Sequence, residues 1–288
     1  RINTLYQPNS LGFMLWTLVF YAIVKFISSE NNKWLWVASI VFAFGFLNKY
    51  NIAFLALGLL PALLITSHRK IFLNPSFYLS LIAALLIVSP NLIWQYNNDF
   101  QVFHHLKELA ETQLVNVSRL DFLKEQLMFF IGSLFLVILA FISFFTYPAF
   151  RKYQLFFWSY LFTISFFTYF KANGYYAIGL YPILLAFGSV YLEKLLTKGW
   201  VRHLRVVVVL IPIAITIPVL QFILPVLSPD IIIEKNETFK RLGLLRWEDG
   251  KDHTLPQDFA DMQGWSELGE IVDQAFDAVD EKENTLIQ

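Results

Sequence analysis

The chain of 288 residues has no cysteine. That excludes disulfides, thiol catalysis and cysteine-ligated metal, and leaves the redox compartment open. Charge is scarce: Asp, Glu, Lys and Arg make up 15% of the residues, against about 25% in a soluble domain. The 22 basic and 22 acidic residues balance, so no basic surface is spare and nucleic acid is not expected as a partner. No alternation long enough for a membrane β-barrel is visible. No internal repeat is visible, which weakens an inverted-repeat transporter architecture. What is present in excess is oil: 57% of the residues are hydrophobic and 18% aromatic. Soluble domains carry roughly 45–50% apolar residues, so this chain reads as a polytopic membrane protein.

A spanning helix needs about 20 mostly apolar residues, because the hydrocarbon core is about 30 Å thick. Eight stretches approach that length: 11–28, 34–48, 51–67, 76–94, 125–147, 153–170, 175–196 and 204–226. The second and third, joined by "NKYN", read as one buried hairpin or two tilted spans. The expectation is an all-α polytopic membrane bundle of about eight transmembrane helices over residues 1–227, with an amphipathic outer loop at 95–124. Residues 228–288 are expected to form a small extracytoplasmic α/β domain, incomplete here. The start at Arg1 and the end in "ENTLIQ" (283–288), read as the first residues of a strand, suggest a fragment.

Lys and Arg gather in "KFISSENNK" (25–33), "HRK" (68–70), "RK" (151–152) and "TKGWVRHLR" (197–205). Strict alternation puts these on one side, which the positive-inside rule makes cytoplasmic. The opposite side receives "NKYN", the 95–124 loop, "KANG" (171–174) and the tail.

The span centres hold no charge, and polar residues collect at the outer helix ends. Such a pattern suits a site at the membrane–water interface, where a lipid-linked substrate has its phosphate at headgroup level. In "KANGYYAIGLYPILLAFG" (171–188), Lys171 supplies a cation, and Tyr175 and Tyr176 supply hydroxyls that a phosphate would accept. Gly174 permits a tight turn and Pro182 a kink. The competing reading is an ordinary aromatic belt with a snorkelling lysine. Lys49, in "FLNKYNIAFL" (46–55), is a second phosphate contact or a simple anchor. "HHLKELAE" (104–111) sets His104 and Glu108 on one helical face, with His105 beside them. A divalent metal or a solvated face would both explain that triplet. Asp99, Glu111 and Asp121 are weak base candidates in the same loop. In the tail, "RWEDGKDHTLPQDFADMQGW" (246–265) covers an acceptor or caps the small domain.

Four stretches together resemble the GT-C type membrane glycosyltransferases, in the bacterial branch related to protein O-mannosyltransferases and the lipid A aminoarabinose transferase. They are "QPNSLGFMLW" (7–16), "GFLNKYNIAFLALGLLP" (45–61), "SPNLIWQYNNDF" (89–100) and 171–188. The resemblance implies a multi-pass enzyme of the bacterial inner membrane. Such an enzyme moves a sugar, with inversion, from a polyprenyl-phosphate carrier to a glycan, lipid or protein acceptor, as in cell-envelope or lipopolysaccharide assembly. It implies carrier-phosphate contacts at Lys171 and Tyr175, and a catalytic carboxylate before the first residue here. A second acidic position of the family falls on Asn9, after Pro8 and upstream of Trp16. Asparagine is neither a base nor a strong metal ligand, so Asn9 is carried as an acceptor or metal contact only. The alternatives are a transporter or flippase for a lipid-linked glycan, and a non-catalytic scaffold.

Overall fold

The computed structural model describes residues 7–279. They divide into two compact units, 7–219 and 220–279. The first unit is helical throughout: α1 (Asn9–Ser29), α2 (Lys33–Asn48), α3 (Ala53–Ile65), α4 (Pro75–Asn97), α5 (Gln101–Thr112), α6 (Arg119–Met128), α7 (Leu134–Thr146), α8 (Gln154–Tyr169), α9 (Tyr181–Leu195) and α10 (Leu204–Ile223), which leaves the unit at Val219.

Helix packing runs through the pairs α1/α2, α2/α4, α3/α8 and α7/α9. Lipid tails are as apolar as leucine, so such pairs need close backbone approach rather than hydrophobic drive. Glycine provides it twice. A Cβ on Gly58 of α3 would run into Ser159 and Thr163 of α8, and one on Gly188 of α9 would strike the Leu136 backbone of α7. Ser39 of α2 donates to Ser80 of α4 at 3.0 Å in the buried interior. Around these contacts lies an aromatic core that includes Trp16, Phe20, Phe144, Phe156, Phe167 and Tyr181.

The count of eight spans is corrected. Among the described residues four helices are long and apolar enough to cross a membrane: Asn9–Ser29, Pro75–Asn97, Gly174–Leu195 and Gly199–Ile223. The number rises to six if two bent pairs each count as one span, Tyr50–Ile65 with Ser67–Leu73 and Leu134–Thr146 with Pro148–Tyr169, which bend by 106° and 103°. The reasons are local. α2 has 16 residues, about 24 Å at 1.5 Å per residue, short of the hydrocarbon core. The expected span at 125–147 breaks after Met128, and its polar start belongs to the separate helix α6. Pro182 does not kink a helix either; it sits in the first turn of α9, where its missing N–H costs nothing.

The bundle has two distinct ends. At one, Asn74 donates to Asn32 at 2.7 Å, the His68 ring donates to the Lys152 carbonyl at 2.6 Å, and Arg205 Nε donates to the Leu196 carbonyl at 3.0 Å. At the other, Asn48 donates to the Pro8 carbonyl at 2.9 Å and Arg119 to the Tyr169 carbonyl at 3.3 Å. These bonds group the helix termini without assuming that every apolar run crosses the bilayer.

The second unit holds α11 (Pro229–Glu234), α12 (Asn236–Arg241), α13 (Gln257–Ala260) and α14 (Trp265–Asp277) around Ile232, Phe239, Leu245 and Phe259. The expected α/β domain is corrected: among the described residues there is no strand, and pairing is limited to an isolated bridge between Arg246 and Asp252. The stretch between them closes on itself. Trp247 N–H donates to the Lys251 carbonyl at 2.9 Å and Gly250 N–H to the Trp247 carbonyl at 3.0 Å, a local turn that leaves no ladder to extend. The strand expected in "ENTLIQ" lies outside the described residues.

Candidate functional site

Three elements meet at the end opposite the basic loops. The first is the start of α1. The second is the turn between α2 and α3, where Lys49 is extended. The third is the segment Gly174–Leu180 ahead of α9. Lys49 Nζ donates to Asn9 Oδ1 at 2.8 Å. The Asn9 amide nitrogen donates to Gln7 Oε1 at 2.7 Å, which turns the amide oxygen toward the lysine. The same ammonium lies 4.6 Å from the Tyr176 ring centroid and 5.1 Å from that of Tyr175. The two rings stand at 90° with centroids 4.7 Å apart, so one presents its face and the other its edge. A cation over one ring is worth about 0.5–2 kcal/mol depending on desolvation.

Lys49 also adds positive charge beside the amino terminus of α1, whose first turn carries the positive end of the helix dipole. A helix amino terminus and a cation side by side both favour a bound anion. Four residues named separately from sequence, Asn9, Lys49, Tyr175 and Tyr176, are thus brought together. Lys171 is half-buried on the same loop, with φ of 55°, a left-handed conformation uncommon for a residue with a side chain.

The loop is held from behind by α6. Gln126 Nε2 donates to the Gly174 carbonyl at 3.0 Å, and the Glu125 carboxylate accepts the Gly174 N–H. Both backbone groups of one glycine are therefore held by consecutive side chains of one helix. A Cβ at Gly174 would collide with Glu125, so glycine is needed here for space rather than for φ. Tyr181 OH donates to Gln126 Oε1 at 3.1 Å and so orients the amide. Burial against the loop raises the Glu125 pKa above the ordinary glutamate value; the Gly174 N–H opposes that and Asp121 adds to it.

A second network fixes the other side of Lys49. Tyr50 OH donates to Asn91 Oδ1 at 2.8 Å and accepts from Gln95 Nε2 at 3.0 Å. Gln95 Oε1 in turn accepts the Val102 N–H at 3.1 Å, at the start of α5.

Glu125, Gln126, Asn91 and Gln95 escaped the reading of the sequence. The signal for the first pair was a Glu-Gln dipeptide at the edge of an apolar run, an expensive place for such groups unless they are partnered. His104, His105 and Glu108 lie exposed on α5 and are not part of the Lys49 cluster. Neighbouring helical residues point about 100° apart, so His104 and His105 diverge. Among the described residues no three His, Asp or Glu side chains group in a way that could hold a metal ion.

No curated protein and no solved structure matches the chain. A family model described as dolichyl-phosphate-mannose-protein mannosyltransferase matches residues 1–94, about a third of the chain. The matched stretch contains Asn9, Lys49, Tyr50 and Asn91, whereas Tyr175, Tyr176 and the α6 clamp come from the remainder.

Proposed function

We propose that this chain is a multi-pass membrane glycosyltransferase of the GT-C type, and that its site binds the phosphate of a polyprenyl-linked sugar at the outer face of a bacterial inner membrane. The observation that carries the reading is Lys49, hydrogen-bonded to Asn9 and flanked by Tyr175 and Tyr176 beside the α1 terminus, within reach of a family match over residues 1–94. Orientation follows from charge. Lys25, Lys33, Arg69, Lys70, Arg151, Lys152, Lys194, Lys198, Arg202 and Arg205 fall at the end away from the site, with Glu30 and Glu193 the acidic residues there. The positive-inside rule makes that end cytoplasmic.

In this reading the acceptor hydroxyl loses its proton to a carboxylate and attacks the anomeric carbon. The bond to the carrier breaks, and polyprenyl phosphate departs with the electron pair as a stable anion. Lys49 and Lys171 stabilise the charge that grows on the leaving oxygen, and the tyrosine hydroxyls donate to the phosphate. Attack opposite the leaving phosphate inverts the centre. The acceptor is a glycan, lipid or protein presented at the same face.

A conduit is the weaker reading. Among the described residues of the bundle, buried polar groups include the hydroxyls of Ser39, Ser80, Ser143, Ser159 and Thr163, with Gln95, Gln126 and the Tyr181 hydroxyl toward the site end. No described Asp, Glu, Lys or Arg is among the buried side chains, and a transport path for a charged headgroup would call for charged partners at mid-bilayer.

The test is Lys49→Gln in the intact protein reconstituted in vesicles, with polyprenyl monophosphate titrated as the ligand and sugar transfer followed in parallel. A charged hydrogen bond is worth about 1.5–3 kcal/mol, so carrier affinity should fall roughly 10- to 100-fold while the melting temperature changes little. Unchanged affinity with normal folding would remove the phosphate from this site.

A further inference from the structure

α4 is long and apolar enough to cross the membrane, and it ends at Asn97. α5 begins at Gln101, after a corner in which Asp99 and Phe100 both adopt positive φ, 54° and 51°. The corner is built rather than loose. Phe100 N–H donates to the Gln95 carbonyl at 2.7 Å, and Val102 N–H donates to the Gln95 side chain at 3.1 Å. The first turn of α5 is therefore pinned to the last turn of a membrane span.

Beyond that turn α5 buries nothing: none of its residues is buried. Its composition is nonetheless segregated. At 100° per residue, Val102, Phe103, Leu106, Leu109 and Ala110 occupy an arc of about 120°, and His104, His105, Lys107, Glu108 and Glu111 fill the rest. Phe103 is 64% exposed and Leu106 50%. The apolar arc continues an aromatic ladder that starts on α4 itself: Tyr96, Phe100 and Phe103 have successive ring centroids 6.1 and 5.6 Å apart. On α4 the ladder's first ring, Tyr96, lies one turn from Ile93, and both are exposed on a helix long and apolar enough to cross a membrane.

We propose that α5 is a membrane-surface helix, lying in the interface of the leaflet where α4 ends, with its Phe103–Leu106 side in the acyl boundary and its His104–Glu108 side in water. The occupant of this face is the lipid surface because the face is continuous with the lipid-facing side of α4. A helix with this pattern and low overall hydrophobicity lies in the interface plane. Its ionisable groups nearly balance, Lys107 against Glu108 and Glu111 with two histidines, so apolar insertion and not attraction to anionic headgroups provides the seating. Gln95 then acts as the positioning residue at the corner, since it also donates to Tyr50 beside Lys49. The proposal does not depend on sugar transfer.

These 288 residues hold no cysteine, so a thiol introduced among them is labelled without a native competitor in this stretch. Phe103→Cys, His104→Cys, Leu106→Cys and Glu108→Cys, each in the intact protein, carry a nitroxide in phosphatidylcholine vesicles. Accessibility to oxygen, which concentrates in lipid, is compared with accessibility to a water-soluble nickel chelate. The oxygen-to-nickel ratio at 103 and 106 should exceed that at 104 and 108 severalfold, and adding phosphatidylglycerol should leave the pattern unchanged. Equal, water-like ratios at all four sites would overturn the proposal. So would labels at 103 and 106 shielded from both probes, which would mean that protein covers the face. Gln95→Leu should raise the mobility of the label at 103 severalfold; no change there would remove Gln95 from the corner.

Discussion

Lysines meet aromatic rings at both ends of the first unit, yet the two ends use them differently. At the basic end Lys194 lies 3.9 Å from the Tyr147 ring centroid, closer than Lys49 comes to either of its tyrosines, and Lys25 lies 5.7 Å from that of Trp34. Proximity to a ring therefore does not separate a site from an anchor. What differs is burial and hydrogen bonding, and several cations of the basic end serve helix carboxyl termini. Arg205 donates to the Leu196 and Glu193 carbonyls at the close of α9, and Arg151 to the Phe145 carbonyl at the close of α7. Cations at carboxyl termini satisfy orphan carbonyls and oppose the dipole, a structural use. Lys33 at the basic end and Lys49 at the other both stand at amino termini, of α2 and α1. Lys33 is exposed, 5.4 Å from the Trp34 ring centroid, whereas Lys49 is half-buried, hydrogen-bonded to Asn9 and set between two tyrosines.

Two glycines sharpen the contrast most. Gly174 needs space, because a Cβ would meet Glu125, whereas Gly199 at the basic end has φ of 64° and open space around it. Gly174→Ala must displace either the Glu125 carboxylate or the tyrosine loop. Overpacking of this kind costs about 1–3 kcal/mol, and borne by the loop it should lower sugar transfer roughly 10- to 100-fold. Gly199→Ala should cost about 1 kcal/mol of stability through the left-handed backbone and leave transfer intact. Melting temperature and transfer rate measured on both variants decide the matter. Equal loss of transfer in the two would erase the distinction between the ends.

A smaller effect concerns Glu125. Its folded-state pKa lies above the ordinary value, chiefly through burial, so ionising it is harder in the folded protein than in the unfolded chain. Its contribution to stability is complete below the ordinary glutamate pKa and is lost as pH rises through the raised value. Glu125→Gln keeps an acceptor for the Gly174 N–H and cannot ionise. Melting curves across that window should therefore show the wild type losing ground to the variant as pH rises. Parallel curves would mean that the carboxylate is solvated as usual.

The long apolar runs at 11–28, 76–94 and 204–226 were legible because length and hydropathy alone define them. The sharpness of the bends was not. The 103° bend falls at Pro148, but the 106° bend between Tyr50–Ile65 and Ser67–Leu73 falls at a break that holds neither proline nor glycine, and the basic loops after both mark an end to each run without giving the angle. Asn9, Lys49, Tyr175 and Tyr176 each stood out as polar groups at helix ends. That Asn9 touches Lys49, forty positions on, is a tertiary fact with no periodic trace. Glu125 and Gln126 were hidden for another reason: they precede an apolar run and were counted into it.

The smallest expected effect falls on Lys194. An exposed cation over a tyrosine contributes about 0.5–1 kcal/mol, and a cation in a helix's last turn contributes about 0.3–1 kcal/mol. Lys194 is exposed and occupies the last turn of α9, so Lys194→Ala should lower stability by about 1–2 kcal/mol at most and leave carrier affinity where it was. Set beside Lys49→Gln, this variant removes the same charge from a shorter ring contact. If its polyprenyl-phosphate affinity fell as far as that of Lys49→Gln, the effect would belong to total charge on the protein and not to the setting in which the lysine stands. If it did not, the half-buried setting of Lys49 beside Asn9 and the two tyrosines is what separates the lysine that recruits an anion from the lysine that anchors a helix.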